Sequence, residues 1–336
     1  MADLITIGIN GTVCMWQHDK CVHEYTLNEN NSVHHLVSIS PNGNYAATSH
    51  KSLVRLWNIK DSTFISIPIP FQRLIFSIGV SNEYVAIGSD NGIYLHLFDG
   101  TLKSTFKEDN VYDVKFSPDG KFLLSGNGNK TANIWDIATR KIHITLNQVN
   151  IVFGVAWSPK NDTIAIACEE MIGYIWNVNG TLAQKLNGRA SWLIKAAYSF
   201  DGKYIAFGNY SGVVQLWDTA SWELKHTYYS SNDYFYLRRM ISLSLSFSPD
   251  GEWLMGSGFN SSPRLWNLKN NSCKDFQKSI CSSAFVPINH EAVKKREETS
   301  LVISIIMDQR ELPDDVFIPR ELWYSCLQCT SWKDFV

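Results

Sequence analysis

Seven short segments of this chain end on an aromatic residue, and their spacing restricts the possible folds more than any other feature. They are Val13-Cys14-Met15-Trp16, Val54-Arg55-Leu56-Trp57, Tyr94 to Phe98, Ala132-Asn133-Ile134-Trp135, Gly173-Tyr174-Ile175-Trp176, Val214-Gln215-Leu216-Trp217 and Pro263-Arg264-Leu265-Trp266. The closing aromatics are separated by 41, 41, 37, 41, 41 and 49 residues, too regular for a chance scatter of 12 tryptophans. A unit of that length cannot bury its apolar faces alone, so successive units must stack and share a core.

Within each unit the side chains alternate with period two, as in Tyr204-Ile205-Ala206-Phe207-Gly208 and Phe122-Leu123-Leu124-Ser125-Gly126. That is the pattern of strands with two different faces. Turn signals separate the first and second strands of most units: Ser40-Pro41-Asn42-Gly43, Ser117-Pro118-Asp119-Gly120, Ser158-Pro159-Lys160-Asn161, Ser199-Phe200-Asp201-Gly202 and Ser248-Pro249-Asp250-Gly251. Pro presets φ at the second turn position and Gly accepts positive φ at the end, so each unit is expected to be a four-stranded antiparallel sheet.

These residues resemble the WD40 repeat family, with Trp135-Asp136 and Trp217-Asp218 carrying its dipeptide and Trp57-Asn58, Trp176-Asn177 and Trp266-Asn267 a near-isostere. The resemblance implies an all-β, seven-bladed β-propeller over residues 1–288, followed by a C-terminal extension over 289–336. The family's Gly-His pair is missing from every unit. The Asp usual between second and third strands is replaced by Asn10, Lys51, Asn129, Glu170, Ser211 or Asn260. The full Asp-His-Ser-Trp tetrad therefore cannot form, and apolar packing between sheets must supply the stability. The first unit begins at its second strand, Leu4 to Ile9, so Ile280 to Pro287 is expected to serve as its missing inner strand and to remove an exposed edge.

Composition narrows the function. Of 336 residues, 45% are hydrophobic and 18% charged, which suits a packed core, and the net charge of -2 supplies no bulk attraction for nucleic acid or anionic lipid. The apolar runs Ile65–Ile69 and Leu301–Met307 fall short of the ~20 residues that cross a bilayer. The start of the chain has no basic segment and reads as a strand, and the seven cysteines are scattered. An intracellular, cytoplasmic protein with reduced thiols is expected, the nucleus remaining open.

No nucleophile elbow, phosphate loop, zinc-protease motif or dinucleotide fingerprint is present. His34-His35 would point to opposite faces of a strand, and Cys326-x-x-Cys329 has no second pair. The expectation is therefore no metal, no cofactor, no small-molecule substrate and no enzymatic activity. What the resemblance implies instead is a platform for other proteins or peptides. Mapping the family's loop positions onto this chain places His35, His50, Phe76, Tyr112, Phe153, Glu169, Trp192, Tyr210 and Phe259 near one rim. Large aromatics are common anchors of binding surfaces, although such rings also plug channels or pack beneath loops.

The interval from Trp217 to Trp266 is the longest, and its excess lies between units, in Tyr228 to Arg239. Tyr234, Phe235, Tyr236, Arg238 and Arg239 are expected to touch a partner there, or else the loop folds onto its own blade. Beyond residue 289 come a charged linker, the apolar stretch Leu301–Met307 and a short helix expected over Arg320 to Cys329, whose apolar stripe docks on the propeller or recruits a protein. Leu312-Pro313-x-x-Val316 and Ile318-Pro319-x-Glu321-Leu322 resemble the opening of an F-box, and the location is that of a SOCS box. The alternative function implied is a substrate-recruiting adaptor of a ubiquitin ligase.

Overall fold

The structure is a computed structural model. It describes residues 35–50, 53–59, 61, 63–69, 74–188, 191–229, 244–248, 251–257 and 264–275, with the strand segments 4–8, 13–17, 20–25, 280–286 and 301–306. Among these residues every regular element is a strand. β1–β3 are Leu4–Gly8, Val13–Gln17 and Lys20–Tyr25; β4–β7 are His35–Ile39, Tyr45–His50, Leu53–Asn58 and Thr63–Ile67. β8–β11 are Ile75–Val80, Tyr84–Ser89, Gly92–Leu97 and Leu102–Phe106; β12–β15 are Val111–Phe116, Phe122–Asn127, Thr131–Asp136 and Lys141–Asn147. β16–β19 are Val152–Trp157, Thr163–Cys168, Ile172–Asn177 and Leu182–Asn187; β20–β23 are Leu193–Tyr198, Tyr204–Asn209, Val213–Asp218 and Leu224–Tyr229. β24–β27 are Ser244–Phe247, Trp253–Ser257, Arg264–Asn267 and Cys273–Asp275; β28 and β29 are Ile280–Val286 and Leu301–Ile306. β4 to β27 form six four-stranded antiparallel meanders, the units that the repeat demanded.

The turn chemistry is as expected. In the β12–β13 turn the Ser117 hydroxyl donates to Asp119 Oδ1 at 2.6 Å and accepts the Phe122 N–H at 2.9 Å, and Gly120 sits at φ 70°. The turns at Ser40 and Ser199 repeat that pattern with Asn42 and Asp201. Asn161 takes the left-handed position at φ 57° where the siblings have Gly, as short amide side chains tolerate.

The tetrad is reduced as expected, yet among the described residues half of it survives in two sheets. Trp57 Nε1 donates to Thr48 Oγ1 and Trp135 Nε1 to Ser125 Oγ, each at 2.9 Å. In the β16–β19 sheet Ile166 occupies the hydroxyl's place, and Trp176 Nε1 is buried with no hydrogen-bond partner. Ser125→Ala should leave Trp135 in that same condition and lower stability by about 1–2 kcal/mol in urea denaturation.

One alignment is corrected. The β10 residue equivalent to the tryptophans is His96, not Phe98: the β10–β11 bulge falls at Leu95/His96, as that of β14–β15 falls at Ile134/Trp135. His96 is buried, its Nδ1 lies 3.1 Å from the Gly100 carbonyl, and burial holds its pKa below the ordinary value against that bond. Phe98 lies just past the strand and packs on Tyr45 of the preceding sheet at 4.2 Å. Reading the aromatic instead of the register produced the uneven 41 and 37 spacing.

The core lies between neighbouring sheets. Val54, Leu56 and Ile67 of one meet Ile75, Ile78, Val85 and Ile87 of the next, and the same arrangement recurs around the molecule. Inner strands neighbour one another in the order β4, β8, β12, β16, β20, β24 and β28, and β28 also lies beside β4. First and last units are thereby adjacent.

The way they join differs from the expected clasp. The sheet order is β28-β29-β1-β2-β3, five strands instead of four. β28 does not pair with β1. The apolar segment expected to lie outside the repeat, Leu301–Met307, instead supplies β29 through residue 306, parallel to β1 with Thr6 opposite Ser304 and antiparallel to β28. A six-residue apolar strand can satisfy its backbone only by gaining two neighbours, which the gap between β28 and β1 offers.

Candidate binding surface

The meander connectivity places the loops between second and third strands, and those between sheets, at one end of every sheet. At that end four successive inner strands carry a β-bulge at their start: the register shifts between Ile75/Ser77, Val111/Asp113, Val152/Gly154 and Leu193/Lys195. The residues passed over are Phe76, Tyr112, Phe153 and Ile194. A bulge re-aims the side chain it carries away from the sheet's own ladder. Phe76 and Tyr112 lie 5.2 Å apart between ring centroids, and Tyr112 and Phe153 meet edge-on at 5.3 Å, so three half-buried rings from three sheets form one arc.

Trp192 and Tyr210 form a second pair in the β20–β23 sheet, 6.0 Å apart, with 47% of Trp192 exposed. The Trp192 carbonyl accepts the Tyr210 N–H at 2.8 Å, which ties the two loops together. Glu169, just past the end of β17, is half-buried, and its N–H donates to the Ile151 carbonyl. Phe76, Tyr112, Phe153, Trp192 and Tyr210 thus occupy the end of the sheets where the sequence placed them. His35 and His50 face each other as backbone partners across β4 and β5. Phe259 and the loop residues Tyr234, Phe235, Tyr236, Arg238 and Arg239 lie outside the described residues, as does the segment expected to form the terminal helix.

Tyr228 is a correction. It opens the long interval that sequence reading assigned to a partner, but it belongs to β23, is only 3% exposed, and stacks on Trp266 at 5.2 Å with its hydroxyl 3.2 Å from Asn271 Oδ1. Its alternating position in β23 points it into the core between sheets. Tyr229, next along, is exposed.

Beneath the arc lies a feature that sequence reading missed. Asp113 follows the bulged Tyr112 and is buried at the inner edge of four sheets. Its Oδ1 accepts the Ser77 hydroxyl of β8 at 2.8 Å; its Oδ2 accepts the Val155 N–H of β16 at 3.2 Å and lies 3.3 Å from Lys195 Nζ of β20. Lys115 stands 3.8 Å from Oδ1 on the wetter side. Burial alone would raise the carboxyl pKa, but Lys195, Lys115, the Ser77 hydroxyl and the Val155 N–H together outweigh it and hold the group below the ordinary carboxylate range. The detectable signal was positional: Ser77, Asp113, Gly154 and Lys195 all follow the bulge, and an Asp and a Lys at such a place are unusual for a strand this buried.

Three more exposed apolar side chains stand at the same end: Leu74, Val149 and Met171. Sequence reading did not select them because single aliphatic residues in loops carry no local signature. Together with the aromatic arc they make a broken apolar rim over the inner strands. Such a surface offers apolar area and ring faces.

Repeated four-stranded meanders with an inner-strand ring and a loop rim define a propeller-type repeat protein. The sequence profile of the family described as "WD domain, G-beta repeat" matches residues 19–58, 100–136 and 241–267. Those three segments, about a third of the chain, carry the WD40 repeat profile. The chain is 21% identical over 271 residues to target of rapamycin complex subunit LST8 of Rattus norvegicus, covering 80% of this chain and 73% of that protein. It is 24% identical over 154 residues to pre-mRNA-processing factor 17 of Homo sapiens, covering 41% of this chain and 26% of that protein. A WD repeat-containing protein 26 homolog of Drosophila melanogaster is 33% identical over 132 residues, covering 34% and 21%. The chain thus spans under a third of the length of most of the curated relatives it matches.

Proposed function

We propose that this chain is a non-enzymatic scaffold of the WD40 family that holds partner proteins or peptides on the loop rim, within the cytoplasm. One observation carries the reading. Three bulges in successive sheets bring Phe76, Tyr112 and Phe153 into contact at the end of the inner strands, where rings are half in water. Rings held by backbone geometry bind with little further loss of rotamer freedom, which favours them as anchors. One of the relatives is named as the subunit of a complex, which agrees with a role in assembly. On this reading the propeller occupies residues 1–288, and the extension 289–336 lends β29 to the first sheet.

Recruitment of a ubiquitin ligase through the tail is a second reading. It rests on the resemblance of Leu312-Pro313-x-x-Val316 and Ile318-Pro319-x-Glu321-Leu322 to the opening of an F-box and on the place of this segment after the repeats. One capture assay separates the readings. The tagged chain is compared with a Tyr112→Ala/Trp192→Ala variant, a Tyr234→Ala/Tyr236→Ala/Arg238→Ala variant, and a chain ending at residue 311. Under the scaffold reading the first variant loses its partners by at least ~10-fold with its melting transition unmoved, and the second shows whether the long loop shares the contact. Loss of ligase subunits from the shortened chain alone would instead favour the adaptor. Unchanged capture by both rim and loop variants refutes the rim.

A further inference from the structure

The first sheet has five strands where its six siblings have four, and the pairing within it bears the marks of a four-stranded one. Trp16 of β2 stands opposite Leu4 of β1, as Trp135 stands opposite Leu123 and Trp176 opposite Ile164. The β2–β3 ladder has its bulge at Met15/Trp16, and the ladders β14–β15, β18–β19 and β22–β23 have theirs at the matching tryptophan. In those sheets the ladder joins third and fourth strands. β1, β2 and β3 thus carry the registers of second, third and fourth strands, although the insertion of β29 makes them third, fourth and fifth.

Strand direction leaves the four-stranded arrangement open. β28 is antiparallel to β29 and β29 is parallel to β1, so β28 runs antiparallel to β1. That is the sense in which first and second strands pair in the siblings. β29 lies beside β4, the place that second strands hold elsewhere, with β13 beside β16 and β17 beside β20. Its hold on one side is short: the parallel ladder with β1 has three residue pairs, against five in β12–β13 and in β16–β17. Parallel pairing is also the weaker kind per residue. β28 ends at residue 286 and β29 begins at 301, leaving 14 residues between them. A hairpin connection needs only about 2–5, so the connection does not oblige β29 to sit there.

We infer that β29 is a releasable strap and that the first sheet has two arrangements, five strands with β29 inserted and four with β28 paired directly to β1. Release leaves no new bare edge inside the sheet, because β28 and β1 then satisfy each other's backbone groups while water hydrates those of the freed segment. Residues 307–336 follow β29 directly in the chain. A partner that draws them outward therefore shifts the balance toward four strands, and insertion of β29 opposes that partner. The inference is independent of what the loop rim binds.

The test is hydrogen exchange of the full chain, read by mass spectrometry, with Ser304→Pro as the variant. Proline at that position removes a backbone donor and clashes inside a five-stranded sheet, but is harmless in a released segment. In the wild type the amides of residues 301–306 should exchange at least ~10-fold faster than those of residues 4–8, because the strap opens without the rest of its sheet. In Ser304→Pro the amides of 301–306 should lose protection while those of 4–8 stay within ~3-fold of the wild type. The melting transition should move by under ~3 °C, and trypsin should cut at Arg310 several-fold faster, since cleavage follows the open population. Equal exchange of the two segments in the wild type would make β29 a fixed part of the sheet and overturn the inference. Loss of protection at 4–8, or failure to fold, in Ser304→Pro would do the same. Exchange and cleavage left unchanged by Ser304→Pro would also overturn it, by showing that β29 is not held between β28 and β1 at all.

Discussion

Gly154→Ala is expected to lower the unfolding free energy by about 3 kcal/mol, at the upper end of what overpacking costs. A Cβ built on Gly154 would stand 2.3 Å from the Ile194 carbonyl oxygen and 2.8 Å from Lys195 Cα. Both are backbone atoms of the neighbouring inner strand, so no rotamer change can relieve the contact. β16 and β20 would have to separate along their length, losing the packing of Ala156, Leu193 and Ala196 between the sheets. The midpoint of urea unfolding reads the effect, with the slope unchanged if the denatured state is unaffected. A loss under ~0.5 kcal/mol would mean that the two strands are not in this contact.

Asp113→Ala is expected to be at least as damaging, about 3–5 kcal/mol, the range for removing one partner of a buried ion pair. It would strand Lys195 Nζ, the Ser77 hydroxyl and the Val155 N–H, drawn from three other sheets. Asp113→Asn keeps the shape and separates charge from packing. Because the native carboxyl is held below its unfolded value of ~3.9, its stabilisation is complete above that pH and is lost as pH falls through the lower native value. Wild-type stability should therefore drop between about pH 5 and pH 2, while Asp113→Asn is less stable at about pH 7 and flatter across that window. Parallel pH profiles for the two chains would show that Asp113 is not the group responsible.

The two substitutions are linked through geometry. Lys195 reaches Asp113 across the intervening sheet at the place where that sheet has Gly154, so both changes disrupt one span from β12 to β20. The double variant Gly154→Ala/Asp113→Ala should lose less than the sum of the single losses, by ~1 kcal/mol or more.

The repeat, the four-stranded units and the Ser-Pro-Asp-Gly reversals were legible because they rest on local rules: period-two alternation, φ at Pro and Gly, and a hydroxyl two residues from a carboxylate. Trp192 and Tyr210 were legible for the same reason, since the family's loop positions follow from strand order. Other features depended on register. His96 replaced Phe98 as the equivalent of the tryptophans only once the pairing of β9 with β10 was known. Tyr228 changed from loop to core because β23 extends to Tyr229 and alternation turns residue 228 inward.

The amino-acid sequence by itself determined that this chain makes a series of small antiparallel sheets, because burial at period two and turn stereochemistry act within a few residues. Only the tertiary structure decided that Phe76, Tyr112 and Phe153 share one surface, that Asp113 meets Lys195 over a glycine, and that β29 enters the first sheet. Those outcomes depend on bulges and on neighbours far along the chain, where contact is set by how whole sheets pack instead of by any local propensity.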